Sequence, residues 1–343
     1  MMVFISMSLF GTFVVFMSGG LLGMWLGLEL GLFGFLPILN GKTVGENEAA
    51  VKYFIVQAVG SGIMLVSFLF ISGDVVMVLG NWNVVNLIGV MMMGGFMTKL
   101  GVFPLHFWFP SVMSASSWFS CFWLSVVQKV GPFWGVSGLG LDLWLLNTLI
   151  LSLVITSLVG AFGGLAQVHF RPLLAYSSLG QTGWMGLVCL LRVELFMLYM
   201  LVYTFILSGL LCGLYLAKSY SLTDVPGWDS GKGLLFWIFS GGFFISLSGL
   251  PPLAGSFLKL VGILVIIGKY PIFLGALIGS SMVSLYYYLS VFINSIVCLG
   301  SSSYSGVLSL VESGSVFPVV CGVVILNWVG GLPLFLVCGM ISL

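Results

Sequence analysis

Four ionisable side chains lie inside stretches of sequence that are otherwise typical of membrane-spanning helices: Glu29, Lys99, Lys129 and Lys259. The chain of 343 residues has 10 Lys plus Arg and 9 Asp plus Glu, so charge is rare throughout. A charge at the centre of a bilayer costs about 2.5–3.5 kcal/mol on insertion scales, and such residues usually mark a pathway for ions or protons. These four residues are therefore the candidate functional site.

A buried lysine beside a glutamate can take up and release a proton. Low dielectric disfavours a charged ammonium, whereas a nearby carboxylate favours it, so the protonation state depends on how close the partners are. Glu29 is the only acidic residue deep in a predicted span; Lys99 is its preferred partner and Lys129 the next candidate. The competing interpretation is a static buried salt bridge. It accounts for one lysine and leaves two that must be neutral, hydrated in a cavity or paired with another subunit.

Further polar residues in apolar surroundings extend the candidate site. His106 is either a proton relay, since its unperturbed pKa is close to neutrality, or a donor to a backbone carbonyl freed near Pro104. A polar patch in another apolar span either forms interhelical hydrogen bonds or holds waters that link Lys129 to Lys259. The patch consists of Tyr176, Ser177, Ser178, Gln181 and Thr182.

The composition restricts the class of protein. Hydrophobic residues make up 60% of the chain, charged residues 6%, and the mean hydropathy is +1.24, which predicts a polytopic membrane protein in contact with lipid. A net charge of +1 argues against nucleic acid as a partner. The six cysteines show neither metal-ligand nor disulfide spacing. We find no metal cluster, phosphate loop or nucleophile constellation in the sequence, and no site for NADH, flavin or an iron–sulfur centre.

The fold is predicted to be all-α, a single integral membrane domain over 1–343 with about eleven transmembrane helices. The predicted spans are 2–18, 20–39, 49–72, 84–108, 113–139, 143–166, 172–191, 194–217, 233–260, 262–299 and 316–341. Two of them contain helix breakers, Pro104 in one and Pro251 with Pro252 in the other, and Lys99 and Lys259 lie nearby. Paired interrupted spans are typical of transport proteins. We therefore expect two discontinuous helices in two half-channel units, 20–139 and 172–299.

Several motifs, in this order, resemble a known family. They are Trp25-Leu26-Gly27-Leu28-Glu29, Glu48-Ala49-Ala50-Val51-Lys52-Tyr53-Phe54, Lys99-Leu100-Gly101-Val102-Phe103-Pro104-Leu105-His106-Phe107-Trp108, Gln128-Lys129-Val130-Gly131-Pro132, Leu174-Ala175-Tyr176-Ser177-Ser178, and Gly249-Leu250-Pro251-Pro252-Leu253-Ala254-Gly255 with Lys259. The chain is similar through most of its length to the mitochondrial NADH dehydrogenase subunit 2 family, the antiporter-like membrane subunits of respiratory complex I.

This resemblance implies a function and a set of roles. Glu29 and Lys99 would be the ionisable pair of the first half-channel, Lys129 the central relay and Lys259 the lysine of the second half. It implies proton translocation within NADH:ubiquinone reductase, driven by ubiquinone reduction elsewhere in the complex. NADH, FMN, iron–sulfur clusters and ubiquinone would be used by the whole complex and bound by other chains. The implied partners are other membrane-arm subunits, and the implied location is the mitochondrial inner membrane.

The chain departs from the family at one position, because Gly180-Gln181 stands where relatives often have Ala-His. Glutamine can order water but cannot ionise, so a histidine relay is not expected there. Two alternative functions remain at the level of sequence. One is a standalone cation/proton antiporter that uses the same residues, and the other is a non-pumping structural membrane subunit with one static ion pair.

Overall fold

The computed structural model describes residues 1–72, 82–222, 240–251, 253–300, 327 and 330. This part of the chain is all-helical, with an isolated antiparallel bridge between His169 and Ser221. The helices are α1 Met2–Met17, α2 Leu21–Leu39, α3 Val44–Ser72, α4 Trp82–Leu100, α5 Trp108–Ala115, α6 Trp118–Ser125, α7 Val127–Gly138, α8 Leu143–Leu165, α9 Phe170–Leu191, α10 Val193–Ala217, α11 Gly242–Ser248, α12 Ala254–Ile266 and α13 Pro271–Gly300.

Five helices in the described ranges are long and apolar enough to span a membrane. These are α2, Val44–Ile71 of α3, α8, Val193–Leu216 of α10 and Pro271–Asn294 of α13. The predicted spans 2–18, 20–39, 143–166, 172–191 and 194–217 agree closely with α1, α2, α8, α9 and α10. The predicted span 316–341 and residue Pro252 lie outside the described residues, as does the part of span 233–260 before residue 240.

The helix in span 49–72 begins earlier than predicted, at Val44. The Thr43 hydroxyl accepts a hydrogen bond from the Glu46 N–H, and the Glu46 carboxylate accepts one from the Thr43 N–H, both at 3.3 Å. This reciprocal arrangement is a capping box, which satisfies two donors at a helix start. The exposed Glu48–Lys52 pair, at 3.8 Å, then lies within the first three turns of the helix.

The predicted span 113–139 is wrong as a single helix. It includes the end of α5, all of α6 and all of α7. Ser117 caps α6 by accepting from the Ser120 N–H, and the backbone departs from ideal helix at Val126, with φ −113° and ψ −73°. This second interruption was not predicted from the sequence, and it lies three residues before Lys129.

The predicted boundary between spans 233–260 and 262–299 is also wrong. Helix α12 continues to Ile266, and α13 begins at Pro271. Proline is favoured in the first turn of a helix, where its missing N–H has no intrahelical partner to lose. Val261, the residue between the two predicted spans, is buried within α12. Lys259 therefore lies in the middle of a helix instead of at the end of a span.

The chain divides into two compact units, one of Met1–Ser157 with Gln181–Val193 and the other of Leu158–Gly180 with Glu194–Leu343. In the first unit, α1 and α2 cross with their backbones in contact. A Cβ atom on Gly11, Gly27 or Gly34 would lie closer than 3.0 Å to backbone atoms of the opposite helix. Small residues allow this approach, which is a common way for transmembrane helices to associate.

The second unit has a similar crossing between α8 and α9. Gly160 lies against the Tyr176 carbonyl and the backbone of Gly180, so a side chain on residue 160 would collide with α9. Helix α13 packs against α11 and α12 in the same unit. The amide nitrogen of Asn327 donates to the carbonyl of Gly242 at the start of α11, at 3.2 Å.

Candidate functional site

The predicted partners Glu29 and Lys99 form an ion pair in the first unit. The Lys99 ammonium, at the end of α4, lies 3.2 Å from a carboxylate oxygen of Glu29 on α2. The Lys99 side chain is 3% exposed and the Glu29 side chain 14%, so both charged groups are largely buried in the protein. In such a pair the carboxylate favours the charged form of the lysine, whereas burial disfavours it.

The backbone directly after Lys99 leaves the helix. Gly101 adopts φ +68°, a left-handed conformation that glycine tolerates far better than other residues. The chain remains non-helical until Trp108, and this interval contains Pro104. The break therefore starts in the turn before Pro104.

Carbonyl groups at the end of α4 find replacement donors. The Thr98 carbonyl accepts from the Gly101 N–H and from the indole N–H of Trp108, the latter at 3.0 Å. The Lys99 carbonyl accepts from the side-chain amide of Gln57 on α3 at 3.5 Å. Because unsatisfied carbonyls are costly away from water, these donors stabilise the interruption beside the ion pair.

Lys129 lies in the first turn of α7 and is 2% exposed. Its ammonium is 4.5 Å from the centre of the Phe109 ring, a distance at which a cation and an aromatic face attract each other. Its backbone N–H bonds the Val126 carbonyl three residues back, so the turn carrying Lys129 is tighter than an α-helical turn. Gly131, two residues further on, allows Leu28 of α2 to approach closely.

Lys259 belongs to the second unit and lies beside a second break. Helix α11 ends at Ser248, and Gly249 follows with φ +79°. The Lys259 ammonium on α12 reaches back and donates to the Ser248 carbonyl. A cation at a helix C-terminus complements the partial negative charge of its last carbonyls. Pro251 lies in the non-helical interval between the two helices.

His106 lies within the first break and is 6% exposed. Its ring is 4.1 Å from that of Phe107, centre to centre, and 6.0 Å from that of Phe103. Its Nδ1 atom is buried and has no hydrogen-bond partner among the residues that the structure describes. The imidazole also hydrogen-bonds the backbone carbonyl of Pro104, the kind of contact that one of its two interpretations predicts, and a role as relay stays a prediction.

The polar patch lies on α9. The hydroxyls of Ser177 and Ser178 donate to the carbonyls of Leu174 and Ala175 in their own helix, each at 2.9 Å. Ser177 also hydrogen-bonds with Tyr288 of α13 in the same unit. The Tyr176 ring packs against Gly163 of α8, and Gln181 is buried. These contacts favour interhelical bonding by part of the patch, and its predicted role in ordering water is not tested by them.

A hydrogen-bonded cluster in the first unit was not predicted from the sequence. The side-chain amide of Gln128, on α7, contacts Ser8 of α1, Gly31 of α2 and Tyr53 of α3. Trp123 of α6 donates to the same Ser8 hydroxyl at 2.8 Å. The available signal was the isolated Gln beside Lys129, because a polar amide within an apolar span needs partners from other helices.

Metal-binding geometry is absent from the described ranges, where no group of three or more His, Cys, Asp or Glu side chains could hold a metal ion. The candidate site therefore consists of ammonium, carboxylate, amide and hydroxyl groups. In the first unit Glu29, Lys99 and Lys129 are all positioned by contacts among α2, α3, α4, α5 and α7.

Comparison with known proteins gives concordant matches. The family model for the transmembrane region of NADH:quinone oxidoreductases and Mrp antiporters matches residues 18–286, a range that includes all four candidate residues. NADH-ubiquinone oxidoreductase chain 2 of Locusta migratoria is 31% identical over 300 residues, covering 87% of this chain and 86% of the relative. The protein of the same description from Mytilus edulis is 35% identical over 294 residues, covering 85% of each chain.

A solved structure supports the same architecture. A chain of respiratory complex I from Thermus thermophilus, solved with bound aureothin, matches with a TM-score of 0.81 and 22% identity. The match covers 98% of this chain and 78% of that one. At this level of identity the similarity demonstrates the shared fold.

Proposed function

Because the chain belongs to the NADH:quinone oxidoreductase and Mrp antiporter transmembrane family, we propose that it is a proton-translocating, antiporter-like membrane subunit of respiratory complex I. Its relatives carry the description NADH-ubiquinone oxidoreductase chain 2, so the assembly is an oxidoreductase. The protein is a multi-pass subunit of the mitochondrial inner membrane. Other membrane-arm subunits and lipid surround it.

The ion pair between Glu29 and Lys99 is the observation that carries this proposal. Two opposite charges are buried at 3.2 Å beside a helix interruption that is stabilised by side chains of other helices. A purely structural span has no need of either feature, since a neutral continuous helix satisfies its own backbone. Separation of Glu29 from Lys99 would release the proton, and their approach would favour its uptake.

The remaining residues extend this pair into a pathway. In the proposed relay, Lys129 receives the proton from the Glu29–Lys99 pair and Lys259 acts in the second half of the protein, with water held near Gln181 as the link. His106 is a secondary relay candidate at the first break. The half-channel units are 20–139 and 172–299, and the α4–α5 and α11–α12 segments are each one discontinuous membrane span in a bundle of about eleven.

The redox chemistry belongs to other chains of the complex. NADH, FMN, iron–sulfur clusters and ubiquinone are bound elsewhere, and this chain binds none of them. It would contribute a proton path whose state changes when ubiquinone is reduced. The partner contacts that transmit this change lie on other membrane-arm subunits.

The proposal is tested with assembled complexes that carry Lys129→Met. Methionine keeps the length and apolar volume of the side chain and removes the ammonium, so proton pumping should be lost or turnover should be uncoupled from it. The matched control is Lys42→Met, because Lys42 is an exposed lysine outside the helices. The measurement is protons pumped per NADH oxidised in proteoliposomes, normalised to assembled complex. A wild-type ratio in Lys129→Met would refute the proposal.

Two alternative functions predict different outcomes. A standalone antiporter would be obtained as a free, monodisperse protein with Na⁺-dependent proton flux and without redox subunits. If the chain is a non-pumping scaffold, the assembled complex should retain full proton pumping with Lys259→Met, while Glu29→Gln should reduce assembly. The proposed function requires co-purification with the redox complex and loss of pumping in the Lys259 variant.

A further inference from the structure

The side chain of Gln128 connects three helices at the level of the candidate site. Its amide nitrogen donates to the Ser8 hydroxyl on α1 at 3.2 Å and to the Gly31 carbonyl on α2 at 3.3 Å. Its amide oxygen accepts from the Tyr53 hydroxyl on α3 at 3.2 Å. Both N–H donors and the carbonyl of the amide are thus engaged, so the orientation of the side chain is fixed by its partners.

The position of Gln128 in the sequence gives these contacts their importance. It directly precedes Lys129, and Gly31 lies two residues after Glu29 on α2. The hydrogen bond from Gln128 to Gly31 therefore joins the turn of α7 that carries Lys129 to the turn of α2 that carries Glu29. The backbone around this turn of α7 is weakened, because it follows the departure from helix at Val126 and because Pro132 offers no N–H to the Gln128 carbonyl.

Tyr53 continues the connection toward Lys99. Its side chain is 1% exposed, and its ring lies 5.1 Å from that of Phe35 in an edge-to-face arrangement and 5.7 Å from that of Trp108. The Trp108 indole donates to the Thr98 carbonyl, one residue before Lys99. Tyr53 also lies within electrostatic range of Glu29. Its hydroxyl thus bonds the residue next to Lys129. Its ring packs against Trp108, which bonds the residue next to Lys99.

We propose that Tyr53 and Gln128 are positioning residues that hold Lys129 in register with the Glu29–Lys99 pair. The inference rests on the proposed function, since it concerns proton transfer between these groups. The Tyr53–Gln128 hydrogen bond fixes the first turn of α7 against α2 and α3, and a proton transfer step depends steeply on such distances. Neither residue exchanges the proton itself in this account.

The test uses assembled complexes with Tyr53→Phe, Gln128→Met and the double variant. Tyr53→Phe keeps the ring and its packing and removes the hydroxyl, and Gln128→Met keeps the approximate volume and removes the amide. The matched control is Tyr286→Phe, because Tyr286 lies on α13 and is 68% exposed. The readout is the rate of proton pumping per assembled complex, together with the number of protons pumped per NADH oxidised.

Tyr53→Phe should pump about twofold to tenfold more slowly, the range expected for the loss of one neutral hydrogen bond. Gln128→Met also loses the bonds to Ser8 and Gly31, so it should be at least as slow. The double variant should be no slower than the slower single variant, because both changes remove the same bond. The control should match the wild type. A residue that only stabilises the fold would lower the amount of complex and leave pumping per complex unchanged, which would overturn the inference.

The outcomes separate the inference from the proposed function. Wild-type pumping in Tyr53→Phe, combined with loss of pumping in Lys129→Met, would refute the positioning role and leave the function intact. Wild-type pumping in Lys129→Met would refute the function itself. Additive losses in the double variant would also overturn the inference, since they would show that the two side chains act independently. If Gln128→Met fails to assemble, Tyr53→Phe decides the question by its pumping rate and ratio.

Discussion

Replacement of Glu29 by glutamine should destabilise the protein, and a second replacement at Lys99 should restore it. Glu29→Gln removes the negative charge and leaves Lys99 with a side chain that is 3% exposed. The free-energy cost of burying the ammonium is then no longer offset by its attraction to the carboxylate. Lys99→Met in the same chain removes the second charge and leaves an uncharged contact between α2 and α4.

The size of the effect follows from the geometry. Unit charges 3.2 Å apart attract by about 5 kcal/mol at an effective dielectric constant of about 20. Removal of one partner of a buried pair costs about 3–5 kcal/mol, a large part of the free energy of unfolding of a typical domain. Replacement of both partners by uncharged groups is often neutral or stabilising. The double variant should therefore recover most of the stability that the single variant loses.

The assay is the yield of assembled complex on native gels together with the temperature at which NADH oxidation is lost. The control is the same pair of changes at an exposed ion pair, Glu48→Gln with Lys52→Met, where the side chains are 63% and 55% exposed and the pair contributes about 1 kcal/mol or less. The double Glu29–Lys99 variant should assemble but not pump protons. A double variant that assembles as poorly as Glu29→Gln would refute the energetic argument, and one that pumps normally would refute the relay.

Three further substitutions test the framework of the site by thermal inactivation of the assembled complex. Gly101→Ala should cost about 1–2 kcal/mol because Gly101 has φ +68°, whereas Gly62→Ala, on an exposed and uncrowded position of α3, should be neutral or stabilising. Gly11→Ala should cost about 1–3 kcal/mol by forcing α1 away from α2, and Gly94→Ala, with open space around it, should not. Thr43→Ala should cost about 1 kcal/mol through loss of the capping box, with Thr204→Ala on an exposed hydroxyl as its control. Equal effects in a variant and its control would contradict the corresponding argument.

The sequence predicted those features that depend on one residue type or on a local pattern. Charge inside an apolar span predicted Glu29 and Lys99 as partners, and the two side chains form an ion pair in the structure. Pro104 was predicted from its residue type to interrupt the helix near Lys99. The interruption at Val126 was not predictable in this way, because valine is compatible with a helix and no breaker stands next to it. The start of α13 was predictable in principle, since proline is favoured in the first turn of a helix and Pro271 occupies that position.

The cluster around Gln128 could not be predicted from the sequence, because it depends on tertiary contacts. Ser8, Gly31, Tyr53 and Gln128 are far apart in the sequence, and each alone is an ordinary residue of an apolar helix. Their association depends on how α1, α2, α3 and α7 pack, which includes the close crossing of α1 and α2 at glycines. A single sequence shows that Gln128 needs partners, but only the packing shows which ones it has.

The two breaks share a left-handed glycine, but the lysines beside them make different contacts. Gly101 and Gly249 both end a helix in a left-handed conformation. Lys99 precedes its break and contacts a carboxylate, while the carbonyls at that helix end are satisfied by Gln57, Trp108 and the backbone. Lys259 follows its break and itself donates to the last carbonyl of α11. In the proposed relay, movement of Lys99 would therefore change a charge pair without opening its break. Movement of Lys259 would remove a donor from the helix end, so protonation and backbone geometry are coupled directly in the second half of the protein.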